Sequence, residues 1–237
     1  MFKTLKRVIR QQLQPYIDWQ VRHTAKDLDL ARHRQAARES AEFANQFMRM
    51  AKSYPDKFEL LKAAIAKVQI PGLICEFGVY TGATINFIAS LTSGEVHGFD
   101  SFEGLPEDWR AGHEKGTFAV RSLPAVPPNV RLYKGWFKDT IPSFKHDYSQ
   151  AISFLHVDAD LYSSTKTVLD MLGDRIVAGT IIQFDEFFNY PGWREGEGEY
   201  KAFSEFCALR HAEIRYLGFA RWDEQVAVQI VTIAPAP

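Results

Sequence analysis

Hydrophobic and polar positions change their period along this chain. Near the start the spacing is helical. Phe2, Leu5, Ile9, Leu13 and Ile17 recur every three to four positions with Lys6 and Arg10 between them, which predicts an amphipathic helix. A second helix is predicted from about Lys26 to Met50, with Phe43, Phe47 and Met50 on one face. Ser53-Tyr54-Pro55-Asp56 ends it, because Pro cannot continue a helix and disfavours helix in the residue before it. A third helical stripe, Phe58, Leu61, Ala64, Ile65 and Val68, stops at Pro71-Gly72. From there apolar runs alternate with helical stretches. Strands are predicted over 73–77, 95–99, 130–133, 152–157 and 180–184, and helices over 84–92 and 164–172. Alternation of this kind implies crossover connections and a mostly parallel sheet. The last two β-rich runs, 213–219 and 225–233, are joined by a short link and predict a terminal hairpin.

Composition adds limits. The 237 residues, 46% of them hydrophobic, suffice for one sizeable core but not for two large domains with linkers. The net charge of -1 gives no case for nucleic acid as a partner. Charge is uneven, however: residues 1–50 hold ten Lys/Arg against five Asp/Glu. That asymmetry predicts an N-terminal helical extension over 1–52, acting as a lid or an oligomerisation element, and a core domain over 53–237 that binds its ligand without it. No apolar run is long enough to span a membrane. The basic start is not followed by an unbroken apolar stretch, and two cysteines, Cys75 and Cys207, make no disulfide framework. The expected setting is a reducing cytoplasm.

Candidate chemistry begins at Glu76-Phe-Gly-Val-Tyr-Thr-Gly82, between the first core strand and its helix. Gly78 and Gly82 permit a tight turn and close approach to a ligand. Asp100 falls 18 residues after Gly82, at the end of the next strand, where nucleoside-binding folds place an acid for ribose hydroxyls. Tyr80 replaces the central glycine of the dinucleotide fingerprint, and Glu76 would repel a pyrophosphate. Both features suit S-adenosylmethionine (SAM), which has an ammonium group, a ribose and no phosphate. The same pattern is also compatible with a plain strand-to-helix turn.

Further acids stand at strand ends: Asp158 and Asp160 in His156-Val-Asp-Ala-Asp160, and Asp185-Glu186 after the next strand. In open α/β sheets the ligand crevice lies at the carboxyl ends of the strands. Clustered carboxylates repel unless a cation sits among them, and oxygen ligands favour Mg²⁺, Ca²⁺ or Mn²⁺. Any one of these acids would serve equally well as a solvated loop residue or helix cap. Gly135-Trp136-Phe137 follows the third core strand, and its rings are suited to flank an adenine or to fill the core. His156, inside a strand, reads as a buried structural residue.

Four ordered segments now carry a resemblance: the glycine turn, Phe99-Asp-Ser-Phe-Glu-Gly-Leu-Pro106, Gly135-Trp-Phe-Lys-Asp-Thr-Ile-Pro142 and His156-Val-Asp-Ala-Asp-Leu-Tyr-Ser-Ser-Thr165. With Asp185-Glu186 and Tyr190-Pro-Gly-Trp193, they resemble the macrocin O-methyltransferase (TylF-like) family over roughly residues 55–210. The resemblance implies a Rossmann-like class I methyltransferase: an α/β fold with a seven-stranded, mostly parallel sheet ending in an antiparallel hairpin. It implies Mg²⁺-assisted, SAM-dependent methylation of a hydroxyl on a sugar of a glycosylated natural product or polysaccharide. Its donor-contacting set would be Glu76, Gly78, Tyr80, Gly82, Asp100, Ser101, Gly135, Trp136 and Phe137. Asp158, Asp185 and Glu186 would hold the metal, and Asp158 and Asp160 would carry catalysis, Asp160 as the base. Glu186 stands where the family often has a second aspartate. Two other readings stay open: a SAM-binding protein without catalysis, and a membrane-surface assembly protein led by its basic first helix.

Overall fold

The computed structural model describes residues 2–196 and 198–235, with side chains from residue 12 onward. Among these, eight strands form one sheet: β1 (Lys52–Tyr54), β2 (Leu73–Phe77), β3 (Val96–Asp100), β4 (Val130–Lys134), β5 (Ile152–Val157), β6 (Ile176–Phe184), β7 (Glu213–Ala220) and β8 (Val226–Thr232). Their order is β1-β7-β8-β6-β5-β2-β3-β4. Strands β4, β3, β2, β5 and β6 run parallel, and β8 lies antiparallel to both β6 and β7. The seven expected strands and the terminal hairpin are therefore present. The eighth, β1, pairs parallel with the edge of β7 and comes from the segment expected only to break a helix.

Seven helices accompany the sheet among the described residues: α1 (Phe2–Thr24), α2 (Leu28–Phe47), α3 (Lys57–Ile65), α4 (Ala83–Ser90), α5 (Phe137–Asp147), α6 (Tyr162–Leu172) and α7 (Glu199–Leu209). One apolar cluster joins the sheet to α2, α5, α6 and α7 through Phe43, Phe144, Leu169 and Phe203. A second joins it to α3 and α4 through Leu61, Ile85 and Ile88. Every residue of β5 is buried, as expected for a central parallel strand covered on both faces. The pattern predicts neither α5 nor α7. Pro142 lies inside α5 and disguises its period, and α7 shows only a short apolar stripe.

The N-terminal helices behave differently from each other. In α1, Leu13, Tyr16 and Ile17 are exposed. The side chains of Phe2, Leu5, Lys6, Ile9 and Arg10 lie outside the described residues. In α2, Asp27 caps the helix start by accepting the Leu30 N–H at 2.9 Å. Ala36, Phe43 and Met48 belong to the main core. The Phe43 ring meets Trp193, Tyr200 and Tyr216 at centroid distances of 5.4, 5.5 and 5.8 Å. Ser40 Oγ accepts the Asn189 N–H at 2.9 Å. The expected apolar face is corrected accordingly. Phe47 is half exposed and Met50 is 94% exposed, because the helix ends at Phe47 and Met48 turns inward instead. A boundary at 52/53 thus cuts through packed structure.

Candidate active site

Five parallel strands deliver their carboxyl ends to one cavity of about 690 Å³. The turn after β2 forms its floor. Gly78 has φ +96°, and a Cβ there would lie 1.7 Å from the Asp158 carbonyl oxygen, so only glycine lets β2 and β5 end side by side. Tyr80 follows at φ +49°, a left-handed conformation that costs energy in a non-glycine residue and is found most often at functional sites. Asp100 holds this turn from the end of β3. Its Oδ2 accepts the N–H groups of Val79 and Tyr80 at 2.9 and 2.7 Å, and its Oδ1 accepts that of Phe102 at 2.6 Å. A carboxylate has about four acceptor sites, so one remains for a ligand hydroxyl.

Gly78, Tyr80, Asp100, Ser101, Trp136 and Phe137 all line the cavity. Gly82 and Gly135 do not; they shape the turns that lead into α4 and α5. Glu76 also lies off the cavity. It is fully buried in β2, with Oε1 2.8 Å from His156 Nδ1. His156 Nε2 in turn lies 3.6 Å from Asp185 Oδ1. Burial alone would lower the His156 pKa, but Asp185 and Glu76 outweigh it and hold the imidazolium up to about 10. Glu76 therefore meets His156 rather than an open ligand surface.

The acids after β5 and β6 come together at the same cavity. Oxygen atoms of Asp158, Asp160 and Glu186 lie within 4.8 Å of one another, and so do ligand atoms of His156, Asp158 and Asp185. Asp160 adopts φ +59°. Burial, reinforced by the neighbouring Asp185, raises its pKa to about 7. Burial and Asp185 likewise raise Asp158 and Glu186. Asp185 is the exception: burial opposes its ionisation, but His156 and Lys57 hold it below the usual carboxylate range.

Lys57 was not foreseeable as a site residue. It is the first residue of α3, placed there by the Asp56 cap, and its Nζ enters the cavity among the acids. Residues 101–129, between β3 and β4, contribute Leu105, Trp109, Arg110, His113 and Phe118 to the cavity lining. Arg110 stacks on Trp109 and pairs with Glu224 at 3.0 Å, tying this segment to the hairpin link. Glu107 accepts the Ser163 hydroxyl at 2.6 Å, tying it to α6.

A parallel sheet with a terminal hairpin and a strand-end cavity is the architecture of class I methyltransferases. A calicheamicin methyltransferase aligns over 73% of this chain and 77% of its own, with TM-score 0.60 and 25% identity. The O-methyltransferase NovP shares the fold, with TM-score 0.56 and 21% identity over 73% of this chain and 79% of its own. Residues 115–209 match the family described as macrocin O-methyltransferase (TylF). Demethyldecarbamoylnovobiocin O-methyltransferase of Streptomyces niveus is 30% identical over 158 residues, 56% of this chain and 59% of that protein. A rhamnosyl-tetracenomycin-C 4'-O-methyltransferase of Streptomyces olivaceus is 30% identical over 144 residues, 50% of this chain and 54% of its own. The chain thus spans less than two thirds of the curated relatives it matches.

Proposed function

We propose that this protein is a SAM-dependent O-methyltransferase acting on a sugar hydroxyl of a glycosylated small molecule or polysaccharide. The observation that carries the reading is the make-up of one cavity, which a glycine turn, an acid at the end of β3 and two aromatic residues line together with the acids that follow β5 and β6. The Streptomyces olivaceus relative, named for a rhamnosyl-bearing acceptor, supports the acceptor class.

On the donor side, Asp100 is suited to accept ribose hydroxyls, with Trp136 and Phe137 flanking the adenine. Tyr80 and Ser101 complete the wall. On the acceptor side, methyl transfer forms an oxygen–carbon bond as the sulfur–carbon bond breaks, so the protein's main task is alignment. The acceptor proton must leave. Asp160, whose carboxyl pKa burial raises to about 7, would take it.

The acids also fit a divalent cation. The donor set offers carboxylate oxygens, and Glu186 Oε2 is buried without a hydrogen-bond partner among the described residues. Asp158, Asp160 and Glu186, whose oxygens lie within 4.8 Å of one another, would hold the ion in place of the expected set of Asp158, Asp185 and Glu186, because Asp185 pairs with Lys57. Such an ion, when bound, lowers the pKa of a coordinated hydroxyl. We assign the setting as the cytoplasm. Among the described residues no helix is long and apolar enough to cross a membrane.

The test is incubation with labelled SAM, Mg²⁺ and a panel of glycosides. Label transferred to a hydroxyl of one glycoside class supports the reading. SAM binding with no transfer to any glycoside would favour a non-catalytic donor-binding protein.

A further inference from the structure

Glu199, the first residue of α7, is fully buried and does not line the cavity. Its carboxylate reaches two loops at once. Oε1 accepts the N–H of Ala159 at 3.2 Å and the Thr165 hydroxyl at 3.4 Å, while Oε2 accepts the N–H of Glu186 at 3.0 Å. Ala159 lies between Asp158 and Asp160, and Glu186 follows Asp185. One side chain is therefore hydrogen-bonded to the backbone of both acid-bearing loops, which lie at the ends of different strands.

This arrangement has a physical purpose. The loops after β5 and β6 carry mutually repelling carboxylates, so electrostatics drives them apart. The strands below are paired in register only as far as Val157 and Phe184. Beyond those residues Asp185 N–H still donates to the Val157 carbonyl at 2.9 Å, and then the ladder ends. A carboxyl group accepting N–H groups from both sides adds hydrogen bonds where the ladder stops.

We propose that Glu199 is a positioning residue: it clamps the Asp158–Asp160 loop to the Asp185–Glu186 loop and so sets the spacing of the acids that serve the acceptor side. This rests on the reading of those acids as a cation and acceptor site. The substitution Glu199→Gln is nearly isosteric but turns one acceptor oxygen into an N–H₂ group facing an N–H donor. Glu199→Asp keeps the carboxyl group and is one methylene too short to span both loops.

The experiment measures three quantities in the full chain for wild type and both variants. They are Mn²⁺ affinity by electron paramagnetic resonance, SAM affinity by calorimetry, and amide exchange at residues 158–161 and 185–187. Loss of one bond of the clamp is expected to weaken Mn²⁺ binding about tenfold and, for Glu199→Gln, to accelerate exchange about tenfold in the segment that loses its acceptor. SAM affinity should stay within about twofold, since no donor-side group is touched. For Glu199→Asp, which keeps one bond, exchange should rise in one segment only; this variant decides the matter if Glu199→Gln fails to fold. Unchanged Mn²⁺ affinity and unchanged exchange in a folded variant would overturn the clamp, even if its melting temperature falls. Should wild type bind no Mn²⁺, the cation reading fails, and exchange alone judges Glu199.

Discussion

The ammonium of Lys57 lies 3.1 Å from Oδ2 of Asp185 and 3.9 Å from Oδ2 of Asp158. Clustered carboxylates need a cation, and here the chain itself supplies one from the start of α3. Lys57→Met leaves Asp185 buried with less compensation and is expected to cost about 1–3 kcal/mol of stability. Added Mg²⁺ should raise the melting temperature of the variant more than that of wild type. Equal shifts in the two proteins would separate Lys57 from the cation site.

Asp158→Asn and Asp185→Asn are expected to abolish most methyl transfer yet leave SAM affinity within about twofold, because the proposed donor contacts belong to other residues. Chelation should reproduce their effect on transfer. Full transfer to a good acceptor after exhaustive EDTA treatment would remove the metal from the reading and leave the methyltransferase assignment standing.

Asp100→Ala would remove the proposed charge-assisted partner of the donor and also free the Val79 and Tyr80 N–H groups. SAM affinity should fall about tenfold or more, measured by calorimetry on folded protein. Unchanged affinity would show that Asp100 serves only the turn.

The packing of α2 moves the useful boundary. A chain beginning at residue 25 should fold and bind SAM, because the described apolar side chains of α1 are exposed. A chain beginning at residue 53 loses Phe43 and its ring contacts. Removal of such a core aromatic is expected to cost about 3–5 kcal/mol. Comparing melting temperatures and oligomeric state of the two truncations with the full chain checks both points. A change in oligomeric state on losing α1 alone would assign that helix to self-assembly.

Away from the cavity, His97 is buried against Tyr133, Phe144 and Tyr148, with Glu95 and Arg131 nearby. Burial lowers its pKa below the ordinary 6.5, and Glu95 only partly opposes this. A lowered folded-state pKa means that the unfolded chain takes up the proton first as pH falls. The contribution is therefore present above about pH 6.5 and is lost as pH drops through the folded value. His97→Gln should show a shallower loss of stability between pH 7 and pH 5 in denaturant melts. Parallel curves for the two proteins would exclude His97 from the acid response.

Much of this protein is legible one residue at a time. The apolar run of β5 is buried along its whole length, and the acids after β5 and β6 stand at one cavity because parallel strands all end on the same side. Periodicity and strand-end position are local properties, so the chain alone determines them. It does not determine which partner each side chain meets. Glu76 looks like a ligand residue in its motif, yet register sets it opposite His156, 80 positions away. Lys57 reaches Asp185 across 128 positions, and Glu199 joins two loops from a helix that shows little of itself in the pattern. Phe43 is core while Phe47 and Met50 are not, because the surface of the folded sheet decides where α2 stops being covered. Such pairings arise when distant segments are brought within a few ångströms, and only the tertiary structure fixes those distances.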